Sequence, residues 1–209
     1  MKKNAHTPFY PNRMGRIIFL ALEEILGRSG LNAVLNQAHL AEYIDHLPAD
    51  NQDLEFPFEH VGRIQAALED SFGPRGGRGL ALRTGRACFK YGLREFGPEL
   101  GLTDLAFRLQ PLPVKVRSSC EALAALFNRV SDGQVQLEVG PKALVWRAQR
   151  CPLCWGRHTD EVCCHLLVGL IQESLYWVSG GKYFQVEETS CMARGDSACT
   201  IVIDLEPMS

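Results

Sequence analysis

Residues 186–205 read VEETSCMARGDSACTIVIDL, and this stretch decides how the end of the chain folds. Apolar runs flank the polar segment Arg194-Gly-Asp196, which predicts two strands joined by a hairpin centred on Gly195. Such a hairpin would place the sulfurs of Cys191 and Cys199 opposite each other on neighbouring strands. The spacing therefore predicts that two ligands of a metal site come from one hairpin.

Glu188 is the third candidate ligand and lies three residues before Cys191. This spacing has the wrong parity for one face of a regular strand, because side chains alternate between faces. We therefore expect a bulge or turn at Thr189-Ser190 that redirects one of the two side chains.

The fourth ligand is expected from a helix predicted over residues 161–179. Cys163, Cys164 and His165 are consecutive there, and their side chains would point about 100° apart. Only one of the three can complete the set, and the spacing alone leaves the choice open.

Zinc is the metal that this donor set favours, because it prefers four tetrahedral ligands of thiolate sulfur with one carboxylate oxygen or imidazole nitrogen. Four protein ligands leave no open position for water, so we expect a structural site and predict no catalytic residue. The alternatives are inert core thiols and a disulfide between Cys191 and Cys199. Residues 1–13 contain no apolar segment typical of a secretory signal, so a cytoplasmic, reducing location is expected, which disfavours the disulfide.

A second cysteine pair, Cys151-Pro-Leu-Cys154, follows a strand-like run. A CxxC pair of this kind is typical of a metal knuckle, a redox pair or a turn with two buried thiols. A thioredoxin-type site is disfavoured because the alternation of strands and helices that surrounds such motifs is missing here. Cys88 and Cys120 lie in helical patterns and are predicted to be packing residues.

Composition excludes several classes of partner. The chain has 209 residues of which 46% are hydrophobic, enough for a substantial core. A net charge of -2 and a pI near 6.3 give no global attraction to nucleic acid or an anionic membrane surface. No apolar run reaches the roughly 18 residues that a membrane-spanning helix needs. We expect a soluble protein with neither nucleic acid nor membrane as a partner.

The chain is predicted to consist of a disordered tail at residues 1–13 and a single α+β domain at 14–205. Its helical part covers 14–131, and the part with the metal and ligand sites covers 132–205. Apolar periodicity predicts helices over 16–26, 59–72, 80–97 and 114–130, and alternation predicts strands over 134–139, 143–148, 182–188 and 198–205.

Glycines mark two features of the helical part. The glycine-rich segment 73–79 is predicted to be a solvated turn. Gly85 and Gly92 fall inside the next helix and cost stability there, unless a close helix contact or a ligand path requires them.

The run Cys164-His-Leu-Leu-Val-Gly169, together with the motif at 186–199, resembles the 4-vinyl reductase domain family. The resemblance is most specific over residues 143–204. It implies a helical N-terminal half packed on a small antiparallel sheet, similar to the ligand-binding fold of aromatic-sensor domains and TRAPP-type tethering subunits. It also implies a homodimer.

The resemblance implies a structural zinc held by Cys164, Glu188, Cys191 and Cys199. It further implies that a hydrophobic or aromatic small molecule binds, with the protein as sensor or carrier. Aromatic side chains suit the wall of such a site, and the candidates are Phe89, Phe107, Trp146, Trp155, Tyr176 and Trp177.

Two other functions compete with this hypothesis. The first is a tetrapyrrole 4-vinyl reductase or accessory factor, for which the sequence contains no dinucleotide or flavin motif that would bind a hydride donor. The second is a dimeric assembly subunit without an active ligand site.

Overall fold

The fold places a layer of helices against one four-stranded antiparallel sheet. The computed structural model describes residues 7–208. Its first half comprises β1 (Phe9–Pro11), α1 (Asn12–Gln37), β2 (Leu54–Pro57), α2 (Phe58–Leu100), α3 (Leu105–Arg108) and α4 (Leu112–Val130). Its second half comprises β3 (Gln134–Val139), β4 (Ala143–Arg150), α5 (His165–Ser179), β5 (Phe184–Ser190) and β6 (Cys199–Pro207). The predicted α+β class, with a helical N-terminal half on a small antiparallel sheet, is confirmed.

The sheet has the strand order β3-β4-β6-β5, and every neighbouring pair is antiparallel. Leu144 and Trp146 of β4 lie beside Ile203 and Ile201 of β6, and all four side chains are buried. Because side chains alternate along a strand, this apolar row forms one face of the sheet and packs into the core. The helix predicted from residue 161 begins at His165 instead.

A glycine interrupts each of the two long helices. Gly27 in α1 and Gly73 in α2 both have a φ of 72°, which breaks the helix at the positions where the sequence predicted helix ends. The turn predicted over 73–79 is wrong, since helix resumes directly after Gly73. Pro74 suits the first position of the new segment because its missing N–H is not needed there. None of the helices that the structure describes is long and apolar enough to cross a membrane.

Part of the disordered tail predicted at residues 1–13 has regular secondary structure instead. Residues 1–6 lie outside the described part of the chain, but Phe9–Pro11 form β1, which pairs with β2 in an antiparallel ribbon. The backbone N–H of Phe9 also donates to the carboxylate of Asp132, at 2.9 Å. Neither pairing is visible in local periodicity, because the partners lie far along the chain.

Helices α2 and α5 approach each other through two glycines. A Cβ added to Gly85 would lie 1.9 Å from the carbonyl oxygen of Leu166, and one added to Gly169 would lie 2.1 Å from that of Leu82. The predicted close helix contact therefore explains Gly85. At Gly92, by contrast, no atom of the described residues lies within 4 Å of the added Cβ. This packing fixes the start of α5, where Cys164 lies.

We expect Gly85→Ala to lower the free energy of unfolding by about 1–3 kcal/mol, because the new methyl group overpacks the contact between α2 and α5. Urea unfolding monitored by circular dichroism measures the change. Gly79→Ala is the matched control, since it lies on the same helix with no described atom within 4 Å of the added Cβ. Equal unfolding free energies for the two variants would contradict the close contact.

Candidate metal centre and apolar cavity

The turn between β5 and β6 presents three of the predicted metal ligands. Glu188 is buried on the same face of β5 as Phe184 and Val186, and the strand register shifts after it, between Glu188 and Ser190, which is the bulge that the sequence required. The backbone N–H of Cys191 donates to the Asp196 carboxylate at 2.8 Å, which closes the turn. The sulfurs of Cys191 and Cys199 lie 3.9 Å apart.

Cys164, the N-cap residue of α5, is the fourth predicted metal ligand. Its sulfur lies 3.8 Å from the sulfur of Cys191 and 3.7 Å from that of Cys199. Its backbone N–H donates to one carboxylate oxygen of Glu188 at 2.7 Å, which ties the helix to the hairpin. Candidate ligand atoms of these four residues all lie within 4.8 Å of one another.

The sulfur spacing matches tetrahedral coordination. A tetrahedral ion with metal–sulfur bonds of about 2.3 Å separates its sulfurs by about 3.8 Å. The three separations among Cys164, Cys191 and Cys199 lie between 3.7 and 3.9 Å. Metal binding by these residues stays a prediction, but their arrangement would need little rearrangement to hold an ion.

The two neighbours of Cys164 differ in their relation to this group. The sulfur of Cys163 lies 3.6 Å from that of Cys191, at the edge of the group. His165 belongs to neither of the two groups of candidate ligands that the described residues form. Burial lowers the pKa of its imidazole to about 4, so the ring is neutral at physiological pH.

The pair Cys151 and Cys154 joins the same group, which sequence reasoning did not foresee. The sulfur of Cys151 lies 3.4 Å from that of Cys164, and the sulfur of Cys154 lies 3.4 Å from that of Cys199. The CxxC spacing was the available signal, but nothing local showed where the loop after β4 would lie. We call Cys151, Cys154, Cys163, Cys164, Cys191 and Cys199, together with Glu188, the cysteine cluster.

Electrostatics within the cysteine cluster favour a cation. The second carboxylate oxygen of Glu188 is buried and has no hydrogen-bond partner among residues 7–208. Burial, with the Cys191 sulfur adding to it, raises the pKa of this carboxyl to about 8. Hydrogen bonds with Cys154 and other cysteines of the cluster lower the pKa of the Cys191 thiol. Hydrogen bonds with Cys151 and Cys154 instead raise the pKa of the Cys199 thiol. Several thiolates can coexist here only if positive charge offsets them.

An apolar cavity lies next to the cysteine cluster, between the helices and the sheet. Its volume is about 90 Å³. Most of its wall is aliphatic and aromatic, contributed by Met14, Ile17 and Ile18 of α1, Phe89 and Phe96 of α2, Leu123, Leu126 and Phe127 of α4, Trp146 and Ala148 of β4, and Leu166, Leu167 and Leu170 of α5. Cys151 belongs both to this wall and to the cysteine cluster.

Two of the six aromatic residues predicted to bind a ligand line this cavity, namely Phe89 and Trp146. The other four lie elsewhere. Phe107 and Trp177 border a separate surface groove, and Trp155 lies beside the α2 residue Gly62. Tyr176 is exposed and packs on Tyr183. Helical periodicity shows which residues are apolar but not which side of a helix faces the cavity. The sequence therefore could not distinguish the two aromatic residues that line the cavity from the four that do not.

Polar groups are few in the cavity wall. The indole Nε1 of Trp146 is buried without a hydrogen-bond partner among the described residues. Burial raises the pKa of the Tyr10 phenol above its usual range, so Tyr10 also presents a neutral hydroxyl. The cavity therefore offers a mainly apolar wall, with Arg150 as a charged lining residue and Trp146 Nε1 as a buried donor that has no partner among the described residues.

Comparison with known proteins finds the same fold in H-NOX proteins. An H-NOX protein from S. oneidensis in the Fe(II)NO ligation state superposes with a TM-score of 0.55 and 14% identity, over 93% of this chain and 99% of that chain. A structure from work on heme distortion in the H-NOX family gives a TM-score of 0.57 and 16% identity, over 96% and 97%. A weaker similarity, with a TM-score of 0.48 and 16% identity over 69% and 72%, is to the phenol-responsive sensory domain of the transcription activator PoxR with phenol. No protein-family model matches the chain, and no curated protein sequence matches it.

These findings correct two predictions. Membership of the 4-vinyl reductase domain family is wrong, since no family model matches and H-NOX proteins are among the solved structures that share the fold. Zinc as the cofactor is wrong with it, because heme is the group that those structures name. The alternative of tetrapyrrole vinyl reduction loses its basis, since it came from the same resemblance. At 14–16% identity the similarity establishes the shared fold.

Heme is the group that the shared fold implies, and the cavity does not fit it. A volume of about 90 Å³ is small beside the roughly 300–1,000 Å³ of pockets for drug-sized ligands. None of the described residues that line the cavity is a histidine. Iron could also take a thiolate or phenolate, but burial raises the pKa of Cys88 to about 12 and that of Tyr10 further, so both stay protonated. The third such group in the wall, the thiol of Cys151, already lies in the cysteine cluster, 3.4 Å from the sulfur of Cys164.

We expect titration of the purified protein with hemin to give no shifted Soret band of a ligated heme, because the cavity is too small for a porphyrin and no histidine lies among the described residues that line it. Absorption spectroscopy at equal concentrations of hemin and protein measures this. A heme-free H-NOX domain, treated alike, is the positive control. A sharp Soret band at one heme per chain would show that the cavity rearranges to hold a porphyrin.

Proposed function

We propose that this protein binds a small apolar molecule in the cavity between its helices and sheet, as a sensor or a carrier. The observation that supports the proposal is an apolar space between the helices and the sheet, whose wall contains a buried hydrogen-bond donor, Trp146 Nε1, that has no partner among the described residues. Core packing normally leaves few voids, and buried donors normally have partners. A ligand would remove both costs at once.

The size and polarity of the wall define the class of ligand. The volume of about 90 Å³ is of the order of the engineered cavity of about 150 Å³ that binds benzene in another protein. A single aromatic ring or a short branched chain suits such a space. One neutral acceptor atom, such as an ether or carbonyl oxygen, would accept the N–H of Trp146 without bringing a charge into the cavity.

We also propose that Cys164, Glu188, Cys191 and Cys199 hold a metal ion that braces the cavity wall. Their sulfur spacing and the unpaired Glu188 oxygen support this. Cys164 immediately precedes α5, which contributes Leu166, Leu167 and Leu170 to the cavity. An ion at this point would fix the start of that helix. The predicted homodimer and cytoplasmic location stay predictions.

We expect 4-fluoroanisole to bind more tightly than fluorobenzene, by up to about tenfold, because its oxygen accepts the Trp146 N–H and a hydrogen bond contributes about 0.5–1.5 kcal/mol. Titration followed by ¹⁹F NMR measures both affinities. In Trp146→Phe, which keeps an aromatic ring but removes the donor, the preference should disappear. A preference that survives this change would place the donor elsewhere.

Filling the cavity should abolish binding of both probes. Gly92 borders the cavity, and no atom of the described chain lies within 4 Å of a Cβ added there, so Gly92→Leu can place its side chain in the free space. We expect its ¹⁹F spectra to show free probe only. Gly79→Leu is the matched control on the same helix, away from the cavity. Binding to Gly92→Leu at wild-type affinity would show that the probes occupy another site.

A further inference from the structure

We propose that the cysteine cluster holds two thiophilic metal ions, with a second ion bound by Cys151, Cys154, Cys164 and Cys199. This inference rests on the ion proposed above for Cys164, Glu188, Cys191 and Cys199 and extends it. Candidate ligand atoms of each set lie within 4.8 Å of one another, and the two sets share Cys164 and Cys199. The shared sulfurs would bridge the two ions.

The distances fit two tetrahedra that share an edge. The common edge is the separation of 3.7 Å between the sulfurs of Cys164 and Cys199. In the first set, the sulfur of Cys191 lies 3.8 and 3.9 Å from these two sulfurs. In the second set, the sulfur of Cys151 lies 3.4 Å from that of Cys164, and the sulfur of Cys154 lies 3.4 Å from that of Cys199. Each is close to the edge of about 3.8 Å for a tetrahedral ion with thiolate ligands.

Donor chemistry defines the class of ion. Thiolate sulfur makes up all of the second set and most of the first, and thiolates select soft or borderline ions over hard cations such as Mg²⁺ or Ca²⁺. The separations are far longer than the roughly 2.05 Å of a disulfide bond, and all eight cysteines are free thiols.

The surroundings can carry the remaining charge. Two divalent ions offset four of the six negative charges on the ligands of the combined sets. The side chain of Arg157 interacts with Cys163 and Cys164, is only 6% exposed, and has one terminal nitrogen without a hydrogen-bond partner among residues 7–208. The backbone N–H of Met192 donates to the bridging sulfur of Cys199 at 3.3 Å. Both features stabilise residual negative charge.

The second ion would adjoin the ligand cavity directly, because Cys151 lines both. The ion proposed first reaches the cavity only through α5. Occupancy of the second position would therefore hold the loop after β4 against the cavity wall.

Titration of the metal-free, reduced protein with Co²⁺ in the absence of oxygen tests the inference. We expect the absorption of tetrahedral Co²⁺–thiolate centres to saturate at two ions per chain, with native mass spectrometry giving the same ratio. The electron paramagnetic resonance signal from the first ion should weaken as the second binds, because bridging thiolates couple the two spins. Neither measurement depends on a variant folding correctly.

Variants then assign the two positions. We expect Cys154→Ser and Cys191→Ser each to lower the ratio from two to one, whereas Cys120→Ala, a buried cysteine of α4 outside the cluster, should leave it at two. A wild-type ratio of one that Cys191→Ser abolishes and Cys154→Ser does not would overturn the second ion and leave the first. A ratio of one that only Cys154→Ser abolishes would overturn both assignments, and so would a ratio of zero.

Discussion

The convergence of buried sulfur atoms around Glu188 is the constraint on which the rest of this structure depends. The loop after β4, the start of α5 and the turn between β5 and β6 meet there, with sulfur separations of 3.4–3.9 Å. One carboxylate oxygen of Glu188 lies among them and has no hydrogen-bond partner in the described part of the chain. Such a site is costly when empty of positive charge, since a buried charge needs a partner or stays neutral. A bound cation would offset this cost and hold the three segments together.

Helix α5 transmits that constraint to the cavity. Its N-terminus is tied to the hairpin by the hydrogen bond from Cys164 to Glu188, and its middle is pressed against α2 at Gly85 and Gly169. The side chains between these two points line the cavity. Packed interiors resist gradual deformation, so the position of this helix sets the size of the free space. The cysteine cluster and the cavity are therefore parts of one packed arrangement.

The fold shared with H-NOX proteins does not bring their chemistry with it. The cavity here is small, its wall lacks histidine within the described residues, and burial raises the pKa of its Cys88 and Tyr10 side chains so that both stay neutral. The cysteine cluster lies beside the cavity, and of its members in the described chain only Cys151 lines the cavity wall. A fold fixes where a cavity can form, whereas the side chains that line it decide what it binds.

Local pattern was enough to predict the strands, the breaks at Gly27 and Gly73, and the bulge after Glu188, because each follows from the side-chain alternation or the backbone freedom of residues close in sequence. It also predicted that Glu188, Cys191 and Cys199 lie close together. Only the tertiary structure decided that Cys151 and Cys154 join them, and which aromatic rings face the cavity. Those outcomes depend on contacts between segments far apart along the chain, whose geometry no local spacing encodes.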